Sequence, residues 1–444
     1  MMSRFLFATV PVPAHSRNPL PVAARLVERG HEVLWFASRR FHGAIAAVGA
    51  TPLPFVATRD YDGERLLEEF PELARLRGPR AIGWAYAELF VGEAAHRVAD
   101  LEPVLAAQRV DAVLTDGLSY GVGLLAQARG IPAATFGDGP LARAHGETPA
   151  FGPGLLPMRG PLSRLRNHAV REASRRWVFA RAQERHDAVR DALGLPPDGR
   201  DVLESAVSPM LHLQACTPSF EYPVPGLPAT VHWVGALRPD PPEQWAPPSW
   251  WGEVCTSARP VVHVTQGSIR PDMRELVVPT LRALADEDVL VVATTGGVSA
   301  ERVEALLGAP LPRNARIADF VPYDLLLPHV DLCVTNGGYT GVTTALHHGV
   351  PLVQAGSTEE KAEIGARVQW TGVGVRIRST TPGPRRLRSA VRRALHDPGH
   401  REAAQRVGAE MRRHDAAEES ADLLERLADT GDPVTEPVRP AHAR

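Results

Sequence analysis

The stretch 331–351, Asp331-Leu-Cys-Val-Thr335-Asn336-Gly337-Gly338-Tyr339-Thr340-Gly-Val-Thr343-Thr344-Ala-Leu-His-His348-Gly-Val-Pro351, decides the fold. Residues 331–335 form a short apolar run of the kind that is buried on both faces of a parallel sheet. Two glycines and a polar turn follow, then a helical pattern over 339–348 and a further strand over 351–355. A strand that turns directly into a helix is the unit of a doubly wound α/β domain. Glycines let backbone N–H groups approach an anion, and the helix presents its positive end to it. Hydroxyls at Thr340, Thr343 and Thr344 add donors. By itself the stretch is equally an ordinary strand-to-helix turn.

Outward from this unit the alternation continues. Pro260–Gln266 reads as a strand ending in Gln266-Gly267-Ser268, a second anion-type loop. An amphipathic helix is expected over 272–287, strands over 288–294 and 315–320, and a helix over 359–371. The N-terminal part repeats the scheme. A strand over 4–10 leads through a loop, 11–17, to Asn18 as helix N-cap and Pro19 at the first helical position. Leu20, Ala23, Ala24 and Val27 lie at helical spacing, Gly30 ends the helix, and 31–37 is the next strand. Another strand, 111–116, ends at Asp116. Residues of about 60–100 and 140–190 are mixed helical insertions carrying Trp84, Tyr86, Phe90, Phe151, Trp177 and Phe179, suited to build a pocket over the sheet. The prolines of 239–248 mark a linker. The expected organisation is a first α/β domain over 1–220, a linker over 221–258, a second α/β domain over 259–414, a helix over 415–430 packing back on the first domain, and a disordered tail over 431–444.

Composition narrows the function. Lys plus Arg number 49 and Asp plus Glu 51, a formal net charge of -2, which does not suit a nucleic-acid partner. No run of about 20 apolar residues suggests a membrane span, and the N-terminus lacks a signal-peptide pattern, so a cytoplasmic protein is expected. Cys216, Cys255 and Cys333 fit neither a disulfide framework nor a metal spacing. No Gly-x-Gly-x-x-Gly follows the first strand, which argues against a dinucleotide oxidoreductase.

Four stretches carry a family resemblance: TVPVPAHSRNPLPVAARLVERGHEV (9–33), VVHVTQGS (261–268), RIADFVPYDLLLPHVDLCVTNGGYTGVTTALHHGVPLV (316–353) and ARVQWTGVGVRI (366–377). Their order and spacing resemble the GT-B family 1 glycosyltransferases, the group of bacterial macrolide and antibiotic glycosyltransferases and plant UDP-glycosyltransferases. The resemblance implies two facing Rossmann-like domains with a cleft between them. It implies inverting transfer of a sugar from a UDP- or dTDP-sugar to a hydroxyl of a small, aromatic or apolar natural product such as a polyketide, macrolide or phenolic. The nucleotide sugar is then a co-substrate, and neither a cofactor nor a metal is expected, since no Asp-x-Asp stands where a metal-dependent transferase needs it.

The resemblance also assigns roles. His15 takes the place of the general base, and Asp116 that of the carboxylate that orients it. Phe320 is placed to stack on the nucleotide base, with backbone contacts from Val321. Gly267, Ser268, Gly337, Gly338 and Thr340 are placed as diphosphate contacts. Two departures stand out. Asn336 replaces a histidine of many relatives and can donate a hydrogen bond but brings no charge. Glu360-Lys361 replaces the sugar-binding Asp-Gln pair, so Lys361 either offsets the missing charge, meets an unusual sugar, or forms a solvated ion pair. Two rival readings remain at this level: a nucleotide-sugar epimerase on the same fold, and a non-catalytic nucleotide-sugar-binding or auxiliary protein.

Overall fold

The structure is a computed structural model that describes residues 2–143, 146–238, 245–267 and 272–436. Among these, strands assemble into two all-parallel sheets. The first contains β1 (Arg4–Ala8), β2 (Glu32–Phe36), β3 (Thr51–Leu53), β4 (Ala112–Asp116), β5 (Ala133–Gly137), β6 (Leu211–Gln214) and β7 (Val231–Trp233), in the order β3-β2-β1-β4-β5-β6-β7. The second contains β8 (Val261–Thr265), β9 (Leu290–Thr294), β10 (Ala315–Ala318), β11 (Leu332–Thr335), β12 (Leu352–Ala355) and β13 (Gly374–Ile377), in the order β10-β9-β8-β11-β12-β13. In each sheet the strand that enters first lies inside, and the winding reverses beside it: between β1 and β4, and between β8 and β11. Ligands of such sheets bind at these switch points, beyond the carboxyl ends of the strands.

The strands are apolar on both faces because helices cover both sides. Phe5, Phe7, Trp35 and Leu114 are buried on one face of the first sheet, together with Leu423, Leu424 and Leu427 of the C-terminal helix Ala416–Thr430. That helix packs on Leu20–Glu28, and Arg29 is ringed by Glu418, Asp422 and Glu425. The segment beyond it is docked as well: Val434 is buried, its N–H bonds to Met210 O at 2.8 Å, and its carbonyl meets His232 Nε2 at 2.8 Å. The first part of the expected disordered tail is thus held by backbone bonds, while 437–444 lie outside the described residues.

Four further local expectations are corrected. Residues 13–17, expected as loop, form a helical turn, Pro13–Arg17, because Pro13 presets its first residue and Ser16 Oγ ties back to Val10 O at 3.1 Å. Asn18 does not cap the next helix with its side chain; it closes this turn, donating its backbone N–H to Ala14 O, and the helix Leu20–Glu28 has no side-chain cap. β7 falls inside the proline-marked stretch 221–258, where a three-residue edge strand fits ahead of the prolines at 239–248. The helix expected over 272–287 is confined to Val277–Leu284.

Candidate active site

Three adjacent strand ends, those of β1, β4 and β5, bring together a histidine and two carboxylates. His15 sits on the turn after β1. Its Nδ1 lies 3.2 Å from Asp116 Oδ2 at the end of β4, a close charge contact although the N–H does not aim squarely at the oxygen. Its Nε2 lies 3.5 Å from Oδ1 of Asp138, just beyond β5. Asp116 is fully buried and accepts backbone N–H groups from Val10 (2.9 Å), Leu118 (3.1 Å) and Ser119 (2.6 Å). Burial alone would raise its pKa; His15 and these amides outweigh burial and hold it below the usual carboxylate range.

Burial likewise opposes charge on His15. The charge of Asp138, the close contact and charge of Asp116 and the charge of Glu360 together overcome it and place the imidazole at about 9. Asp138 is pushed up to about 6, by burial first, then by Asp116 and Glu360, with His15 and Asn18 pulling it down. The sequence reading did not identify Asp138. The signal was there: an apolar run, Ala133–Phe136, ending in Gly137-Asp138-Gly139, the same strand-end carboxylate pattern as Asp116.

The donor-side loops leave β8 and β11. Gly267 (φ +71°) and Gly337 (φ +95°) adopt backbone conformations that favour glycine. A Cβ on Gly337 would stand 2.7 Å from Gln354 Nε2. Gln354, wholly buried on β12, was also missed: its amide faces the carbonyls of Asn336 (3.2 Å), Gly356 (3.2 Å) and Lys361 (3.3 Å) and so fixes the shape of both following loops. Asn336 turns its amide nitrogen onto Gln266 O, and its Oδ1 accepts Gly338 N–H at 3.3 Å. It therefore ties the two loops together. Ser268 lies outside the described residues.

Phe320 projects just past β10 and is 58% exposed, whereas Val321 is fully buried in the core and has only its backbone to offer. Glu360 precedes the helix Lys361–Thr371 and contributes to the field on His15 across the cleft. Burial raises its own pKa, opposed by Lys361 and His15 and aided by Glu359. Lys361 is buried and its Nζ pairs with Glu359 Oε2 at 2.6 Å. Of the three readings of Lys361, the geometry is that of an ion pair, with the lysine buried and its partner Glu359 exposed. Glu359 itself has φ +50°, the one non-glycine residue in the left-handed region among the described residues.

The two sides meet through the first turn of Tyr339–His347. Thr340 Oγ1 accepts from Asn18 Nδ2 at 2.9 Å, and Tyr339 Oη meets Gln214 Nε2 at 2.9 Å. Below them Arg367 is buried between Glu221 and Glu363, with Nη1 to Glu363 Oε2 at 3.0 Å, and its guanidinium stacks on Tyr222 at 4.3 Å.

The insertions supply aromatic walls. Tyr86 packs edge-on against Phe90 (5.5 Å) and Phe179 (5.1 Å) and lies within reach of the Glu360 charge. A cavity of about 370 Å³ is lined by Arg59, Tyr61, Phe70, Trp84 and Glu88 among others, next to the loop that packs Gly63 against Pro11 and Val12. Trp177 does not join this wall; it is 82% exposed.

Two parallel α/β sheets with a histidine, carboxylates and glycine loops at their facing switch points define the class of GT-B enzymes. Comparison with known proteins gives the family. The model of the erythromycin biosynthesis protein CIII-like C-terminal domain matches residues 279–427. The chain is 40% identical to the 4'-demethylrebeccamycin synthase of Lentzea aerocolonigenes over 96% of this chain and 100% of that protein. It is 33% identical to UDP-glycosyltransferase 2 of Phaeomoniella chlamydospora, with 95% of each covered. Its fold is shared with the calicheamicin glycosyltransferase CalG4 (TM-score 0.73, 23% identity, 97% and 99% covered) and with the glycosyltransferase VinC, solved in complex with dTDP (TM-score 0.67, 23% identity, 96% and 99% covered). The chain belongs to the GT-B family 1 glycosyltransferases, enzymes that move a sugar from a nucleotide sugar to a small-molecule acceptor. Among the described residues, no helix is long and apolar enough to cross a membrane.

Proposed function

We propose that the chain transfers a hexosyl group, with inversion and without a metal ion, from a UDP- or dTDP-sugar to a hydroxyl of an aromatic natural product. The observation that carries this is His15 held between Asp116 and Asp138 on the acceptor side, with Glu360 opposite. An acceptor hydroxyl is a poor nucleophile until a base takes its proton. Its oxygen attacks the anomeric carbon as the proton passes to His15 Nε2. The bond from that carbon to the phosphate oxygen breaks, and its electron pair leaves with the nucleoside diphosphate. One displacement from the face opposite the leaving group inverts the centre. Asp116 fixes the ring and, with Asp138, stabilises the imidazolium that forms.

On the donor side, the Thr340 hydroxyl and the N-terminus of Tyr339–His347 supply the stabilisation of the leaving diphosphate, and Gly337 and Gly338 let the backbone approach it while their own N–H groups bond to Thr335 Oγ1 (3.1 Å) and Asn336 Oδ1 (3.3 Å). Gly267 and Ser268 complete the cradle, Phe320 stacks on the base with Val321 offering its backbone, and Glu360 accepts from sugar hydroxyls. Asn336 and the buried Lys361 shape this cradle through Gln266 and Glu359. The aromatic wall of Tyr86, Phe90 and Phe179, and the likeness to 4'-demethylrebeccamycin synthase, support a flat natural-product acceptor.

The test is a mass-spectrometric screen of UDP- and dTDP-sugars against phenolic, polyketide and macrolide acceptors, with a metal chelator present. The expected result is an acceptor gaining one hexose with the purified chain and none with His15→Ala. Turnover that survives in His15→Ala, or that the chelator abolishes, overturns the mechanism.

A further inference from the structure

We propose that Asn18 is a positioning residue that links the donor-side hydroxyl of Thr340 to the acceptor-side base through Asp138. The inference rests on the reading of His15 as base and Thr340 as a diphosphate contact. Asn18 is buried, and its single amide nitrogen serves both sides of the cleft: Nδ2 is 2.9 Å from Thr340 Oγ1 and 3.2 Å from Asp138 Oδ2. An amide NH2 carries two hydrogens, so each bond has its own proton. The charged carboxylate only accepts, which fixes which way the amide faces. The other oxygen of Asp138 is the one beside His15 Nε2. A continuous chain therefore runs Thr340–Asn18–Asp138–His15–Asp116.

Thr340 Oγ1 accepts from Asn18 and makes no other hydrogen bond among the described residues, so its proton is free for a phosphate oxygen. A hydroxyl that donates to an anion becomes a better acceptor in turn, which strengthens its hold on the amide. The amide then keeps Asp138 ionised and turned toward Nε2, where positive charge develops as the acceptor proton arrives. Asn18 lowers the pKa of Asp138 against burial, Asp116 and Glu360; charged Asp138, with Asp116 and Glu360, raises that of His15. The signs give a definite expectation. Without the amide, Asp138 takes up a proton more readily, the imidazolium loses its partner, and the pKa of His15 falls.

The test is the pH dependence of kcat at saturating UDP- or dTDP-sugar and acceptor, for the wild type, Asn18→Ala, Thr340→Val, Thr340→Ser and the Asn18→Ala/Thr340→Val double variant. Asn18→Ala is expected to lower the plateau about tenfold and to move the basic-side rise toward lower pH. Thr340→Val moves it the same way, Thr340→Ser keeps the wild-type position, and the double variant is no worse than the worse single one. An unmoved rise in both Asn18→Ala and Thr340→Val, or losses that multiply in the double variant, overturns the link. If Asn18→Ala does not fold, the contrast between Thr340→Val and Thr340→Ser decides alone. Turnover retained by His15→Ala would instead refute the base assignment; an inactive His15→Ala with an unmoved rise refutes Asn18 only.

Discussion

The Nε2 atom of His15 lies 3.5 Å from Oδ1 of Asp138, on the ring edge away from Asp116. The imidazole is thus flanked by negative charge at both nitrogens, and with Glu360 nearby its pKa stands at about 9. A base works only when unprotonated, so kcat/KM for the acceptor should rise with pH up to about 9 rather than level off near 6.5. Asp138→Asn removes the largest of the charges that raise it, so the rise should shift to lower pH. Initial rates across pH 6–10 check both; a wild-type plateau already reached at pH 7 would contradict the electrostatics.

Asp116 acts on the other nitrogen. Asp116→Asn keeps the size and some of the bonds to Val10, Leu118 and Ser119 but replaces the charge. An asparagine in this place can select the wrong histidine tautomer, and the loss in kcat should be on the order of 10³-fold or more, with acceptor KM little changed. Steady-state kinetics decide it. A loss below tenfold would mean that Asp116 serves the loop rather than the base.

Phe320 is exposed past the end of β10, so removing it costs little of the core. Stacking of an aromatic side chain on a base contributes about 1–3 kcal/mol. Phe320→Ala should therefore weaken UDP or dTDP binding by roughly 5- to 150-fold with an unchanged melting temperature. Isothermal titration calorimetry and a thermal melt read the two numbers; unchanged affinity would remove Phe320 from the donor site.

Arg367 is a matter of stability. It is buried with Glu221 and Glu363, and removing it strands two carboxylates away from water. Breaking a buried ion pair from one side typically costs about 3–5 kcal/mol. Arg367→Ala should lower the melting temperature by many degrees at pH 7. Differential scanning calorimetry would test it, and an unchanged melting temperature would contradict it.

The α/β class and the glycine loops were legible in the sequence because they are local. A buried parallel strand is a short apolar run, and a turn into a helix needs glycine at fixed places, so β1, β8, β11, Gly267 and Gly337 can be read without coordinates. His15 and Asp116 could be picked out by resemblance, each at a strand end. That they touch depends on strand order: β4 lies next to β1, although His15 and Asp116 lie far apart along the chain. Asp138 shows the limit more sharply. Its strand-end pattern matches that of Asp116, yet only the neighbouring position of β5 turns it into a partner of His15. Asn18 looked like a helix cap because asparagine is a favoured N-cap residue and Pro19 follows it; its side chain went instead to Asp138 and Thr340, the latter 322 positions away. For Lys361 the sequence left open a charge offset, an unusual sugar or a solvated ion pair, and its side chain, buried, pairs with Glu359. The sequence by itself determined the α/β alternation and the glycine turns at the strand ends, though not the helical turn Pro13–Arg17 or the edge strand β7. Tertiary structure alone decided which polar groups share a site, because charge and hydrogen bonding act over a few ångströms of space and take no account of distance along the chain.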